Sequence, residues 1–138
     1  IGASPACWAA YGEALAREYG EFGYPEVHRL TVDAYAAQHP GTPSRQSIQS
    51  VAVHLIGLHL TLDRGLPAAA VTAAIGRGVA RGGFVWLTPP SPLGEVVVAD
   101  VLAATDLADH TRRVQTWATS VWSAWACHAD TIRAWAAG

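Results

Sequence analysis

Methionine, lysine and asparagine are missing from all 138 residues. Charge of either sign is scarce. Only 14% of the chain is charged, against about 25% in an average soluble domain. The nine basic residues are all arginines, scattered without a stripe, and the net charge is −2, so a nucleic-acid partner is excluded. Two cysteines at opposite ends, Cys7 and Cys127, make neither a disulfide scaffold nor a zinc ribbon, and they fit a reducing cytoplasm. No signal-peptide pattern stands out, and the missing methionine implies that the translation start lies upstream. Rich Ala, Gly, Arg and Pro beside absent Lys and Asn is the usage of a GC-rich bacterial genome.

Apolar residues make up 51% of the chain and the mean hydropathy is +0.18. The length allows one domain over 1–138. A domain short of charge and rich in apolar surface is expected to bury some of that surface against another chain, in a homo- or hetero-oligomer.

The chain reads as organised around 44–64. Ser44 has the chemistry of an N-cap, and Arg64-Gly65 makes a stop. Between them Ile48, Val51, Ala52, Leu55, Leu58 and Leu62 recur at helical spacing, while Val53, Ile56 and Leu60 cover most of the opposite side. A helix apolar on nearly every side belongs inside a bundle. Two histidines, three serines and two glutamines in this stretch argue against a membrane span. His54 and His59 project about 140° apart, so each needs its own partner.

The remaining periodicity predicts a first helix from Cys7 to about Glu21, with Trp8, Tyr11, Leu15 and Tyr19 inward. A second runs from Pro25 to Gln38, with His28, Val32, Tyr35 and His39 on one face. Arg29 and Asp33 are i, i+4 partners there. If that face is buried, Asp33 becomes a candidate acid or base. A fourth helix covers Pro67–Arg81, and a short one lies near 98–105. The last runs unbroken from Asp106 or Asp109 to about Ala136, with Val114, Trp117, Val121, Trp125, His128, Ile132 and Trp135 as a heptad-like seam. Phe84–Pro92 is a proline-rich loop. The expected fold is therefore all-α, a compact bundle of about five helices with one proline-rich loop near 84–92. The G-R-G-V-A-R-G-G stretch follows no strand and is not a phosphate loop.

The stretch V-H-R-L-T-V-D-A-Y-A-A-Q-H-P, residues 27–40, resembles the signature of a bacterial family catalogued as a domain of unknown function. That resemblance singles out Val27, His28, Leu30, Val32, Tyr35, Gln38, His39 and Pro40, and implies a compact helical domain. Many members open with a cysteine knuckle, of which this chain has only Cys7. A fainter resemblance to DinB-like bundles implies histidines projecting into a bundle core, although the usual pair of ligands four apart on the last helix is missing.

Four functional expectations follow. A metal centre would take His28, His54 and His128, with His59 as substitute for His54, around a divalent transition metal such as zinc. Metal-free acid–base work would use His28, Asp33, Tyr35 or His39. A haem ligand at His54 or His59 also fits a bundle. A partner interface would use Trp117, Trp122, Trp125 and Trp135. The leading expectation is an accessory subunit that packs against another chain and completes an enzyme of bacterial small-molecule metabolism, with a small-molecule pocket as a further feature. The alternative is a metal-dependent enzyme of DinB-like architecture.

Overall fold

The computed structural model describes residues 3–137. It is all-helical: α1 (Pro5–Tyr19), α2 (His28–Gln38), α3 (Arg45–Leu58), α4 (Ala68–Arg81), α5 (Val98–Val101), α6 (Leu107–Ala124) and α7 (Ala129–Ala137). A π-turn, His59–Asp63, continues α3, and a 3₁₀ turn, Ala126–His128, separates α6 from α7. Seven helices thus replace the expected five or so. Among the described residues none is long and apolar enough to cross a membrane.

Helix starts follow the caps. Ser4 accepts from the Cys7 N–H, Ser44 from Ser47, and Asp106 from Asp109, which takes up donors that the first turn leaves orphaned. Pro67 has no capping side chain, so α4 borrows one: Glu26 Oε1 accepts the Ala68 N–H at 2.7 Å.

The centre of the bundle is α2 rather than α3. Nine of its eleven residues are buried, and it packs between α3 and α6. Its inner side carries Leu30, Ala34 and Ala37, small enough for close approach. Gly57 of α3 lets that approach happen at Asp33, because a Cβ at position 57 would run into the Asp33 carboxylate.

Two helix readings change. In α1 the inner side is Ala14 and Glu18, while Trp8 and Tyr19 are 59% and 58% exposed. Glu18 has three buried donors to satisfy, which sets the rotation of the helix. The last helix is not continuous. Trp125 is fully buried with its Nε1–H donating to the Ala37 carbonyl at 3.0 Å, and the chain turns there so that α7 can pack on α3 and α4 and bury Ile132.

The proline-rich loop is as expected, neither helix nor strand from Gly82 to Val97. Gln38 ties it down: Nε2 donates to the carbonyls of Leu93 (3.1 Å) and Val96 (2.7 Å), while Oε1 accepts from Trp117 Nε1 (2.9 Å). One amide thereby fastens α2, α6 and the loop.

Candidate functional site

The first turns of α2 send side chains to two buried carboxylates. Glu18 of α1 is fully buried and accepts from His28 Nδ1 (2.7 Å), Thr31 Oγ1 (2.5 Å) and His110 Nε2 (2.6 Å). Asp33, also fully buried, accepts from His54 Nδ1 (2.8 Å) and from Arg29 through Nε (3.2 Å) and Nη2 (3.3 Å). The sequence expectation for Asp33 was conditional, and its condition is met: the Arg29 pair forms and the face is buried.

An ionised carboxylate only accepts, so each imidazole must donate the proton that faces it. His28 and His54 therefore present Nδ1–H to the carboxylates, and Nε2 is the ring nitrogen that these contacts leave unengaged. Both rings line one cavity of about 440 Å³ between α2, α3 and α4, together with Tyr24, Arg29, Val32 and Thr72. The His28 side chain is 11% exposed and that of His54 20%, and His54 also borders a second cleft with Arg45, Gln49 and Val53. Arg29 reaches Thr72 Oγ1 through Nη1 at 3.2 Å. Tyr24 stands at the rim with φ of 54°, an uncommon conformation for a bulky residue, and its ring centroid lies 4.6 Å from that of His28.

Behind Glu18, His110 is fully buried against Phe22, and its Nδ1 has no hydrogen-bond partner. With Nε2 turned to Glu18, Nδ1 faces no hydrogen-bonding group.

The other candidates fall elsewhere. Tyr35 is fully buried, stacks on Tyr11 with centroids 3.8 Å apart, and its hydroxyl is unpartnered. Burial first, then Cys7, pushes the Tyr35 hydroxyl up, and burial above all pushes Tyr11 up to about 12. His39 sits at the opposite end of α2 from His28, donating Nδ1–H to the Tyr35 carbonyl at 2.9 Å, and lines a separate cleft with Pro40 and Gln46. His59 donates to Asp63 at 2.8 Å. His128 spends its Nε2–H on the Thr88 carbonyl at 2.8 Å, where the α6–α7 break places it.

Among the described residues no group of three or more His, Cys, Asp or Glu side chains is placed to hold a metal ion. His28, His54 and His128 do not assemble into a three-ligand centre, and neither does the set with His59. His28 and His54 share the cavity, while Tyr35, His39 and His128 lie elsewhere.

Burial within the chain withdraws two of the four tryptophans expected at a partner interface. Trp117 and Trp125 are fully buried within the chain, because each indole N–H finds an acceptor on or beside α2. Trp122 donates to Asp63 at 3.2 Å, and Trp135 packs edge-on against Phe84. The exposed large aromatics are Trp8, Tyr19 and Tyr24.

Sequence reasoning passed over Glu18 and His110 as site residues. The signal was there. Glu18 sits one turn beyond Ala14 and Leu15 on the apolar side of α1. His110 continues the 114–117–121 seam by one turn, at a position that wants an apolar residue. A polar group in an apolar register needs a partner.

The matching family model is the Family of unknown function (DUF5946), over residues 1–126. The chain belongs to this family. No curated protein and no solved structure matches it. For this member of DUF5946, the 27–40 stretch divides by task. Val27 and Leu30 fill the core, Gln38 fastens the loop, and His28 turns to Glu18 and the cavity.

Proposed function

We propose that this chain binds a small molecule between α2, α3 and α4 and moves protons on it with His28 and His54. The observation that supports this is the pairing of each ring with its own fully buried carboxylate, with both rings lining one cavity. A proton taken at His28 Nε2 gives an imidazolium beside Glu18. A proton given up by His54 Nε2–H returns that ring to the Nδ1–H form that Asp33 accepts. One ring acts as base and the other, carrying a proton, as acid, so a proton removed from one atom of the ligand is matched by one delivered to another.

The test uses 4-nitrophenyl acetate, an activated ester that reports any imidazole with a free Nε2. His28→Gln and His54→Gln should each lower turnover by about tenfold or more, within the usual range for acid–base groups. His59→Gln should leave it unchanged. Equal rates for wild type and the His28→Gln/His54→Gln double variant would sink the proposal.

A second reading retains the accessory subunit of a bacterial, cytoplasmic small-molecule enzyme, now with α1 as the contact face. Trp8 and Tyr19 expose more than half their surface there, and Tyr24 stands just beyond. Native mass spectrometry of the untagged protein from its own cell decides this: a second chain at fixed stoichiometry supports it, and a lone chain removes it.

A further inference from the structure

We infer that the ligand of the α2–α3–α4 cavity carries a carboxylate or phosphate group, and that Arg29 and Thr72 hold it. The inference rests on the cavity being the functional site. It does not depend on the histidines being the proton carriers.

A guanidinium has five N–H groups and no acceptor. Asp33 takes one from Nε and one from Nη2, and Thr72 Oγ1 takes one from Nη1. One N–H on each terminal nitrogen remains, and the Arg29 side chain is 22% exposed and lines the cavity. Asp33 is fully buried and held by His54 as well, so it fixes the guanidinium plane before any ligand arrives. Thr72 accepts from Arg29, which leaves its hydroxyl proton free to donate. Two arginine N–H groups and one hydroxyl on neighbouring helices match the acceptor geometry of a carboxylate or phosphate.

Of the carboxylates near the cavity, the two buried ones are filled by donors, and Glu26 is the one that lines it. Glu18 is fully buried with three donors on it. Asp33 is filled by Arg29 and His54. Glu26 turns one oxygen to the Ala68 N–H at the start of α4. Beside these donors, Pro25, Val32, Ala68 and Ala69 give the cavity an apolar wall. The volume of about 440 Å³ falls in the range of small-molecule sites, about 300–1,000 Å³. The ligand class is thus a compact organic acid or phosphate ester with an apolar body.

The test is an NMR titration of the whole chain, following the arginine side-chain N–H signals. Sodium phosphate, sodium acetate and sodium chloride are added at matched ionic strength. Saturable movement of Arg29 with phosphate or acetate, but not chloride, is expected, and the more effective anion identifies the group. Ala69→Glu places a like charge at an exposed wall position and should weaken the response about tenfold. Thr72→Val removes only the hydroxyl and should weaken it severalfold. Both positions are exposed, so the fold should persist, with unchanged melting as the check. No saturation at Arg29 by about 50 mM of either anion, or an Ala69→Glu variant that binds as well as wild type, overturns the inference. The two failures separate. Histidine variants that lose esterase turnover while Arg29 ignores both anions remove only the ligand class. Anion binding at Arg29 with idle histidines removes only the proton-transfer reading.

Discussion

Gly57 stands directly against Asp33: a methyl group at position 57 would occupy the place of the Asp33 carboxylate. Gly57→Ala should therefore reverse the usual effect of that change. In an exposed helix interior, alanine gains about 1 kcal/mol over glycine. Here the overpacking should give a net loss of about 1–3 kcal/mol in urea unfolding. The displaced Asp33 should also release His54, visible as loss of its single Nδ1–H tautomer in nitrogen NMR.

Glu18 and His110 should differ sharply as targets. Glu18→Leu leaves His28, Thr31 and His110 without their acceptor, and a loss of about 3 kcal/mol or more is expected. His110→Phe removes one donor of three, together with an unpartnered Nδ1, and keeps an aromatic ring against Phe22. That change should cost about 1 kcal/mol or less. Denaturant midpoints of the two variants decide it, and equal losses would remove Glu18 from its place as the hub.

Alkaline stability should report on Tyr11. Its hydroxyl is held up at about 12 in the folded chain, from an ordinary 10.0, mainly by burial. The folded state thus keeps the proton that the unfolded state releases. The contribution is complete below pH 10.0 and is lost as pH rises through about 12. Tyr11→Phe should flatten the fall in melting temperature across that window.

Asp109 sets the opposite limb. The Arg113 hydrogen bond, aided by the Thr105 N–H and the charges of Arg113 and Arg112, holds its carboxyl below the ordinary value against the opposing effect of burial. Its contribution is present above the unfolded value and is lost as pH falls through the folded one. Asp109→Asn should make stability less dependent on pH in the acid range.

Trp8 and Trp117 should separate surface from core. Trp117→Ala should cost about 3–5 kcal/mol, since it empties a fully buried site and strips Gln38 Oε1 of its donor. Trp8→Ala should change stability by no more than about 1 kcal/mol, since the ring is more than half exposed and meets Tyr11 and Tyr35 in tilted contacts.

Helical periodicity carried the fold class, the Ser44 and Asp106 caps and the proline-rich loop, because those are local properties of spacing and turn chemistry. The α6–α7 break was not legible. Trp125 continues the seam perfectly, and only the distant Ala37 carbonyl pulls it out of register. The centrality of α2 was hidden for a similar reason. Its composition is polar for a core helix, since His28, Thr31, Asp33 and Gln38 are satisfied by residues far along the chain. Of the candidate residues, His28, Asp33 and His54 come together. His39, His59 and His128 each take a partner of their own. Helical phase around a single axis says which way a ring points, but not which helix it meets.

The buried carboxylates give the cavity a rigidity that a more ordinary core would lack. Neither imidazole can rotate or exchange its tautomer without abandoning Glu18 or Asp33, so the aim of both rings is settled when the chain folds. Replacing those acids together with the groups that donate to them by well-packed apolar residues is the route by which a domain of this kind would gain heat resistance. The same change would take both rings out of the cavity. Robustness and readiness are set against each other at the same two side chains.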